Sequence, residues 1–166
     1  PAYNGYKLKG PYGGPLLPEK IEAIEKLVPE KNPHEIDNLD LDHFRKLGLV
    51  EEIDLEAMYC DHVKNNFDME AIRRSGLKIG YDAMFGAGQN VMKKLFPDAE
   101  LLHCEENPGF RGQAPEPIDK NLKPLSELVK KLQLDIGIAT DRDADGIGVY
   151  DRNGNFVDSH HVILLL

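Results

Sequence analysis

Cysteine is scarce in this 166-residue chain: Cys60 and Cys104 stand alone, with no Cys-x-x-Cys pair. That argues against a disulfide framework and suits free thiols in a reducing compartment. No apolar run is long enough to span a bilayer, and no signal-peptide pattern is present. The expected location is the cytoplasm, with no membrane partner. Basic residues are also in deficit, 20 Lys and Arg against 29 Asp and Glu, for a formal net charge of −9. A surface of that sign argues against nucleic acid as the main partner. No internal repeat or low-complexity segment is apparent. What is present is a globular share of apolar residues, 41%, which predicts a real core. The chain opens on Pro1 and stops inside the apolar run 162–166. A domain rarely ends by exposing five aliphatic residues, so the chain reads as an excised piece of a longer protein.

The stretch 135–151 organises the rest. Ile136, Ile138 and Ala139 lead into Asp141, Asp143 and Asp145, and Ile147, Val149 and Tyr150 lead away. Carboxylates between two buried strands are costly unless paired or bound to a cation. Three at alternate positions repel one another, and alternate side chains of one tight loop can converge on a point. Oxygen ligands of this kind suit Mg²⁺ or Ca²⁺ better than zinc. The loop is therefore read as a divalent-metal site at the end of a strand.

The remaining elements follow from periodicity. Tyr3 to Lys9 reads as a turn entering a short strand, and 10–15 as a Gly/Pro loop. Pro18 suits the first turn of a helix with Ile21, Ile24, Leu27 and Val28 as its stripe. The polar stretch 31–50, with a short helix near 41–47, reads as a boundary. Asp54 caps a helix with Leu55, Met58, Tyr59 and Val63 on one face, and His62 falls on that face as a partly buried residue. A short helix over 69–74 comes next. Then come strand 77–85, the turn Gly86-Ala-Gly88, helix 89–96, strand 100–104, a Gly/Pro loop over 107–115, a helix opening near Pro124, and strand 135–140. The Pro124 helix carries Leu125, Leu128, Val129 and Leu132 as its stripe. This alternation predicts an α/β fold, a mostly parallel sheet covered by helices on both faces. Ligands in such sheets gather at the carboxyl ends of the strands, where Gly86, Gly88 and the aspartates would lie. Gly86 and Gly88 are read mainly as a tight strand-to-helix turn, Glu116 as a loop residue, and His160-His161 as a lead-in to a helix.

The aspartate loop has three possible parents. An EF-hand calcium loop matches Asp141, Asp143, Asp145 and Gly146, but wants a glutamate where Arg152 stands and helices where strands flank. A haloacid-dehalogenase-type phosphatase would use Asp143 as nucleophile in Asp-x-Asp-Gly-Thr, and the threonine is missing. Thr140-Asp-Arg-Asp-Ala-Asp145 most closely resembles the Asp-x-Asp-x-Asp metal loop of the α-D-phosphohexomutases, the phosphoglucomutase/phosphomannomutase family. The likeness continues along the chain. Pro1-Ala-Tyr-Asn-Gly-Tyr-Lys7 resembles the segment running on from the family's catalytic Ser-His-Asn, with Pro1 as the proline that completes that motif. Gly10-Pro-Tyr-Gly-Gly14 continues it. Tyr81-Asp-Ala-Met-Phe-Gly-Ala-Gly88 is similar to the family's Asp-x-Met-x-Gly-x-Gly turn, and Phe110 with Pro115-Glu116-Pro117 to its Phe-x-Gly…Pro-Glu-Pro segment.

The resemblance implies a three-layer α/β/α sandwich with a mixed, mostly parallel sheet. It places the end of a first domain at 1–38, a second, metal-binding domain at 39–158, and the start of a third at 159–166. It implies an enzyme in which a phosphoserine exchanges its phosphoryl group with a hexose phosphate through a 1,6-bisphosphate. Mg²⁺ would be held by Asp141, Asp143 and Asp145, with Lys7 beside the serine and Arg142 available to the substrate. The family arginine after the third aspartate is Gly146 here, and the serine itself would precede Pro1. The fragment alone is therefore expected to be inactive, and its partners to be the hexose phosphate substrate and the remaining domains of the same chain.

Overall fold

A computed structural model describes residues 7–31 and 40–165. The chain divides into two compact units, Pro1–Glu52 and Ile53–Leu166. In the first, the 10–14 loop is closed by a bridge between Lys9 and Pro15, with the Tyr12 hydroxyl donating to the Pro15 carbonyl at 2.7 Å. Helix α1 (Pro18–Glu25) starts on proline at its first turn, where the missing N–H is no loss. Its expected stripe is not a buried face: Ile24, Leu27 and Val28 are exposed. Helix α2 (Leu41–Lys46) is capped by Asp40, whose side chain accepts from the Asp42 N–H. The strand expected over 3–9 lies largely outside the described residues.

The second unit carries the sheet. Its elements are α3 (Leu55–Asn66), α4 (Met69–Arg74), β1 (Ile79–Asp82), α5 (Gln89–Leu95), β2 (Glu100–Leu102), α6 (Lys123–Leu132), β3 (Ile136–Thr140), β4 (Ile147–Asp151), β5 (Phe156–Val157) and α7 (Ser159–Leu165). Asp54 and Asp68 cap α3 and α4 by accepting from backbone N–H groups three residues on. The strand order is β2-β1-β3-β4-β5. β1 runs parallel to both β2 and β3, while β4 returns antiparallel to β3 and β5 antiparallel to β4. The sheet is thus mixed, its parallel half built by crossover helices and its other half by hairpins.

Side chains alternate across it. Gly80, Gly137 and Gly148 lie beneath α6 and its lead-in: a Cβ on Gly137 would stand 2.7 Å from Val129, and one on Gly148 2.8 Å from Leu122. The missing side chains let α6 settle close to the strands. Leu122, Leu125 and Val129 are fully buried there with Leu134, Ala139 and Tyr150. Tyr81, Ile138 and Thr140 point to the opposite face, where they share a cavity of about 370 Å³ with Tyr59 of α3 and Val91 of α5. Cys60, Met69 and Leu95 form a second, smaller core.

Helix α3 departs from its expected packing. Leu55, Met58 and Tyr59 are exposed and Cys60 is the buried residue. His62, expected to be partly buried, is exposed, with Asn66 donating to its carbonyl at 2.8 Å. A helical stripe states which side chains share a face, not what covers them.

Candidate metal centre

Strands β3 and β4 are paired up to Thr140 opposite Ile147, so residues 141–146 form the loop of a hairpin. Asp141 folds that loop. One of its carboxylate oxygens accepts from the Asp145 and Gly146 N–H groups, both at 3.0 Å. Its own N–H donates to the Gly146 carbonyl at 3.3 Å, and Ala144 turns the chain with φ of 61°. Asp141 is half-buried, and Asp143 and Asp145 are exposed.

This winding brings the three carboxylates together. One oxygen from each of Asp141, Asp143 and Asp145 lies within 4.8 Å of the other two. Oxygen ligands around a hard divalent cation sit about 2.0–2.6 Å from it, so pairs of them span up to about 5 Å. The donor set and its spread therefore fit a hard cation; they do not separate magnesium from calcium. Arg142 lies exposed on the same loop.

The loop is braced from below by the turn after β1. The Ala87 N–H donates to the Arg142 carbonyl at 2.9 Å. A Cβ on Gly86 would stand 2.6 Å from the Asp141 carbonyl oxygen and 2.8 Å from that of Arg142, so only glycine permits this approach. The Tyr81 hydroxyl meets Thr140 at 2.6 Å, and burial pushes its pKa above the ordinary value.

Two residues of this end of the sheet, Asp82 and His103, receive no role from sequence, although Asp82 lies in the Tyr81–Gly88 segment that resembles the family's turn. Asp82, at the end of β1, is 1% exposed, and its carboxylate accepts from the Met84 N–H at 2.8 Å and from His103 Nδ1 at 2.9 and 3.0 Å. A carboxylate ending a buried strand was the available signal, since it requires a partner. Met84, Phe85 and His103 all have positive φ, at 45°, 61° and 48°. These conformations end β1 and β2 sooner than the runs 77–85 and 100–104 suggest. Arg111 stacks over Phe85, 5.1 Å from the ring centroid, and donates to Glu105 at 2.8 Å. Nearby Cys104 has its thiol pushed up by burial, which disfavours the thiolate needed for nucleophilic chemistry.

Lys7 belongs to the first unit, where it is exposed, two residues before the Lys9 bridge. Glu116 is an exposed loop residue. His160 and His161 open α7, where Asp158 accepts from the His161 N–H at 3.0 Å. Among the described residues no helix is long and apolar enough to cross a membrane.

Residues 57–154 match the family model described as phosphoglucomutase/phosphomannomutase, alpha/beta/alpha domain II. The chain belongs to this family. A phosphoglucomutase/phosphomannomutase of Thermococcus kodakarensis is 30% identical over 170 residues, covering all of this chain and 36% of that protein. A phosphoglucosamine mutase of Caldicellulosiruptor bescii is 30% identical over 166 residues, covering 99% of this chain and 36% of its own length. A solved structure from Thermus thermophilus, named as a candidate phosphomannomutase, superposes with a TM-score of 0.67 at 29% identity. It covers 89% of this chain and 33% of that one. The chain thus spans about a third of the length of the curated relatives it matches. Its mixed sheet with helices is the α/β sandwich of these phosphohexomutase folds.

Proposed function

We propose that this chain is the metal-binding part of a Mg²⁺-dependent phosphohexomutase that interconverts hexose 1- and 6-phosphates in the cytoplasm. The reading rests on one observation above all: Asp141, Asp143 and Asp145 converge within 4.8 Å on a loop braced by the turn after β1. Residues 1–38 are assigned to the end of a first domain, 39–158 to the second and 159–166 to the entry of a third. Asp141, Asp143 and Asp145 would hold the cation. When bound, Mg²⁺ offsets charge on the transferring phosphoryl oxygens and orients them.

The chain's own residues have separable tasks in this reading. Asp141 both folds the loop and offers its second oxygen. Asp143 and Asp145 supply charge. Arg142 faces solvent at the same loop, where it can pair with a sugar phosphate. Lys7 would lie beside the phosphoryl-carrying serine, which is assigned to a segment outside these 166 residues. The relatives are named as mutases of glucose, mannose, glucosamine and pentose phosphates, so the substrate class is a sugar phosphate, and a hexose is the reading proposed here with the particular sugar left open.

The test compares this chain with the complete protein in assays on glucose and mannose phosphates, alongside thermal melts with added metal. The chain alone should be inactive. The complete protein should be active and lose at least a hundredfold on Asp143→Ala, and the same change should abolish the Mg²⁺-induced melting shift without unfolding the domain. Hydrolysis of phosphate esters by the chain alone would instead support a phosphatase with Asp143 as nucleophile. Tight Ca²⁺ binding with a larger stabilisation than by Mg²⁺ would support a calcium module.

A further inference from the structure

We propose that Asp82 and His103 are positioning residues for the aspartate loop, acting through the strained turn that they hold between them. The proposal rests on the metal reading of Asp141, Asp143 and Asp145, but its first readout needs no metal.

Asp82 is almost completely buried at the carboxyl end of β1. Carboxylate oxygens accept, so the contact with His103 is an Nδ1–H donating to both of them, at 2.9 and 3.0 Å. The same carboxylate accepts from the Met84 N–H at 2.8 Å. Met84 and Phe85 then run through the left-handed region at φ of 45° and 61°. Side chains bulkier than asparagine or glycine rarely adopt that conformation unless the surroundings over-determine it. Here the surroundings do so from two sides. The Ala83 N–H donates to the Leu102 carbonyl at 3.2 Å, and the Phe85 N–H to the His103 carbonyl at 3.0 Å. The His103 ring also lies 4.7 Å from that of Phe85. His103 itself is at φ of 48°, so its ring and its carbonyl reach back to the same turn.

The far end of this turn is Gly86-Ala87, which abuts the metal loop. Gly86 packs against the carbonyls of Asp141 and Arg142, and the Ala87 N–H donates to Arg142 at 2.9 Å. A continuous route therefore leads from His103 through Asp82 and the turn to the backbone of Asp141. Buried satisfaction alone would be served by any straight strand end. The bend is explained by what it reaches.

The experiment is amide exchange by NMR on the metal-free chain, followed by Mn²⁺ titration read from the free-ion EPR signal. His103→Phe keeps a ring against Phe85 and removes the donor. The Ala87, Asp145 and Gly146 amides should then exchange at least tenfold faster, while the amides of the β3–β4 ladder stay within twofold. The Mn²⁺ dissociation constant should rise at least fivefold. His103→Asn, whose amide nitrogen takes the place of Nδ1 and which tolerates the left-handed backbone at this residue, should recover most of both effects. If His103→Phe does not fold, Asp82→Asn carries the same comparison, because it keeps the size and removes the charge. Unchanged loop amides, or an equal change in loop and ladder, would overturn the positioning role. Wild-type Mn²⁺ binding that is absent, or that survives Asp143→Ala, would count against the metal reading, while the exchange data still decide whether His103 governs the loop.

Discussion

The phenol oxygen of Tyr81 lies 2.6 Å from the Thr140 hydroxyl, and a Cβ on Gly88 would stand 1.8 Å from that same phenol oxygen. Gly88 has φ of −73°, so nothing about its backbone demands glycine; the close approach does. Gly88→Ala should therefore cost about 1–3 kcal/mol through overpacking. Part of that cost should vanish in a Tyr81→Phe background, where the nearest remaining ring atom would be 3.0 Å away. Urea unfolding of the two single variants and the double variant measures the coupling.

Alkaline pH should weaken the domain through two tyrosines. Burial pushes the phenols of Tyr81 and Tyr150 up, and Tyr150 also donates to Asp119 at 2.9 Å. An unfolded tyrosine ionises near pH 10, about where the folded ones still hold their protons. Stability from this source is complete below about pH 10 and is lost as pH rises from there toward the raised folded values. The urea midpoint should fall as pH rises above about 10, and fall less in Tyr150→Phe. An equal fall in the variant would remove Tyr150 from the account.

The three carboxylates should oppose one another when no cation is bound. Asp143→Asn should raise the stability of the EDTA-treated chain slightly, by about 0.5 kcal/mol. Asp141→Ala should lower it by about 1–2 kcal/mol, because the Asp145 and Gly146 N–H groups lose their acceptor. Opposite signs in metal-free melts would separate the folding role of Asp141 from the charge of Asp143.

Two apolar residues that look alike in sequence should behave differently. Leu125 is fully buried over Gly137, and Leu125→Ala should cost about 2–5 kcal/mol. Met58 is 58% exposed, and Met58→Ala should stay within about 0.5 kcal/mol in this chain. Denaturation of both variants checks the contrast.

That contrast also marks what is legible in sequence. The runs that became β1, β3 and β4 can be read, because buried strands need continuous apolar residues bounded by turn signals. The cap at Asp54 and the amphipathic α6 are equally legible, since their causes are local. Which stripe finds a partner is not local, so periodicity gives α1 a buried face that Ile24, Leu27 and Val28 leave exposed, and of the α3 stripe only Val63 packs against a core while Leu55, Met58 and Tyr59 stay exposed. At the centre, the aspartates announce themselves by spacing. The Asp82–His103 pair does not, because its members are separated by a helix and meet only through the parallel pairing of β1 with β2. The positive φ values at Met84, Phe85 and His103 have no glycine or asparagine to signal them.

The hairpin setting of the aspartate loop bears on the order of folding. β3 and β4 are neighbours in the chain, whereas β1 must find β3 across two helices and a strand. Hairpins close in about 1–10 μs, while distant parallel pairings first meet the entropy of closing a long loop. The carboxylate cluster can thus be wound before the Gly86 turn arrives beneath it. On the metal reading proposed above, a divalent ion present during synthesis would meet carboxylates already on one hairpin, and would favour the hairpin on which the parallel half of the sheet is later assembled.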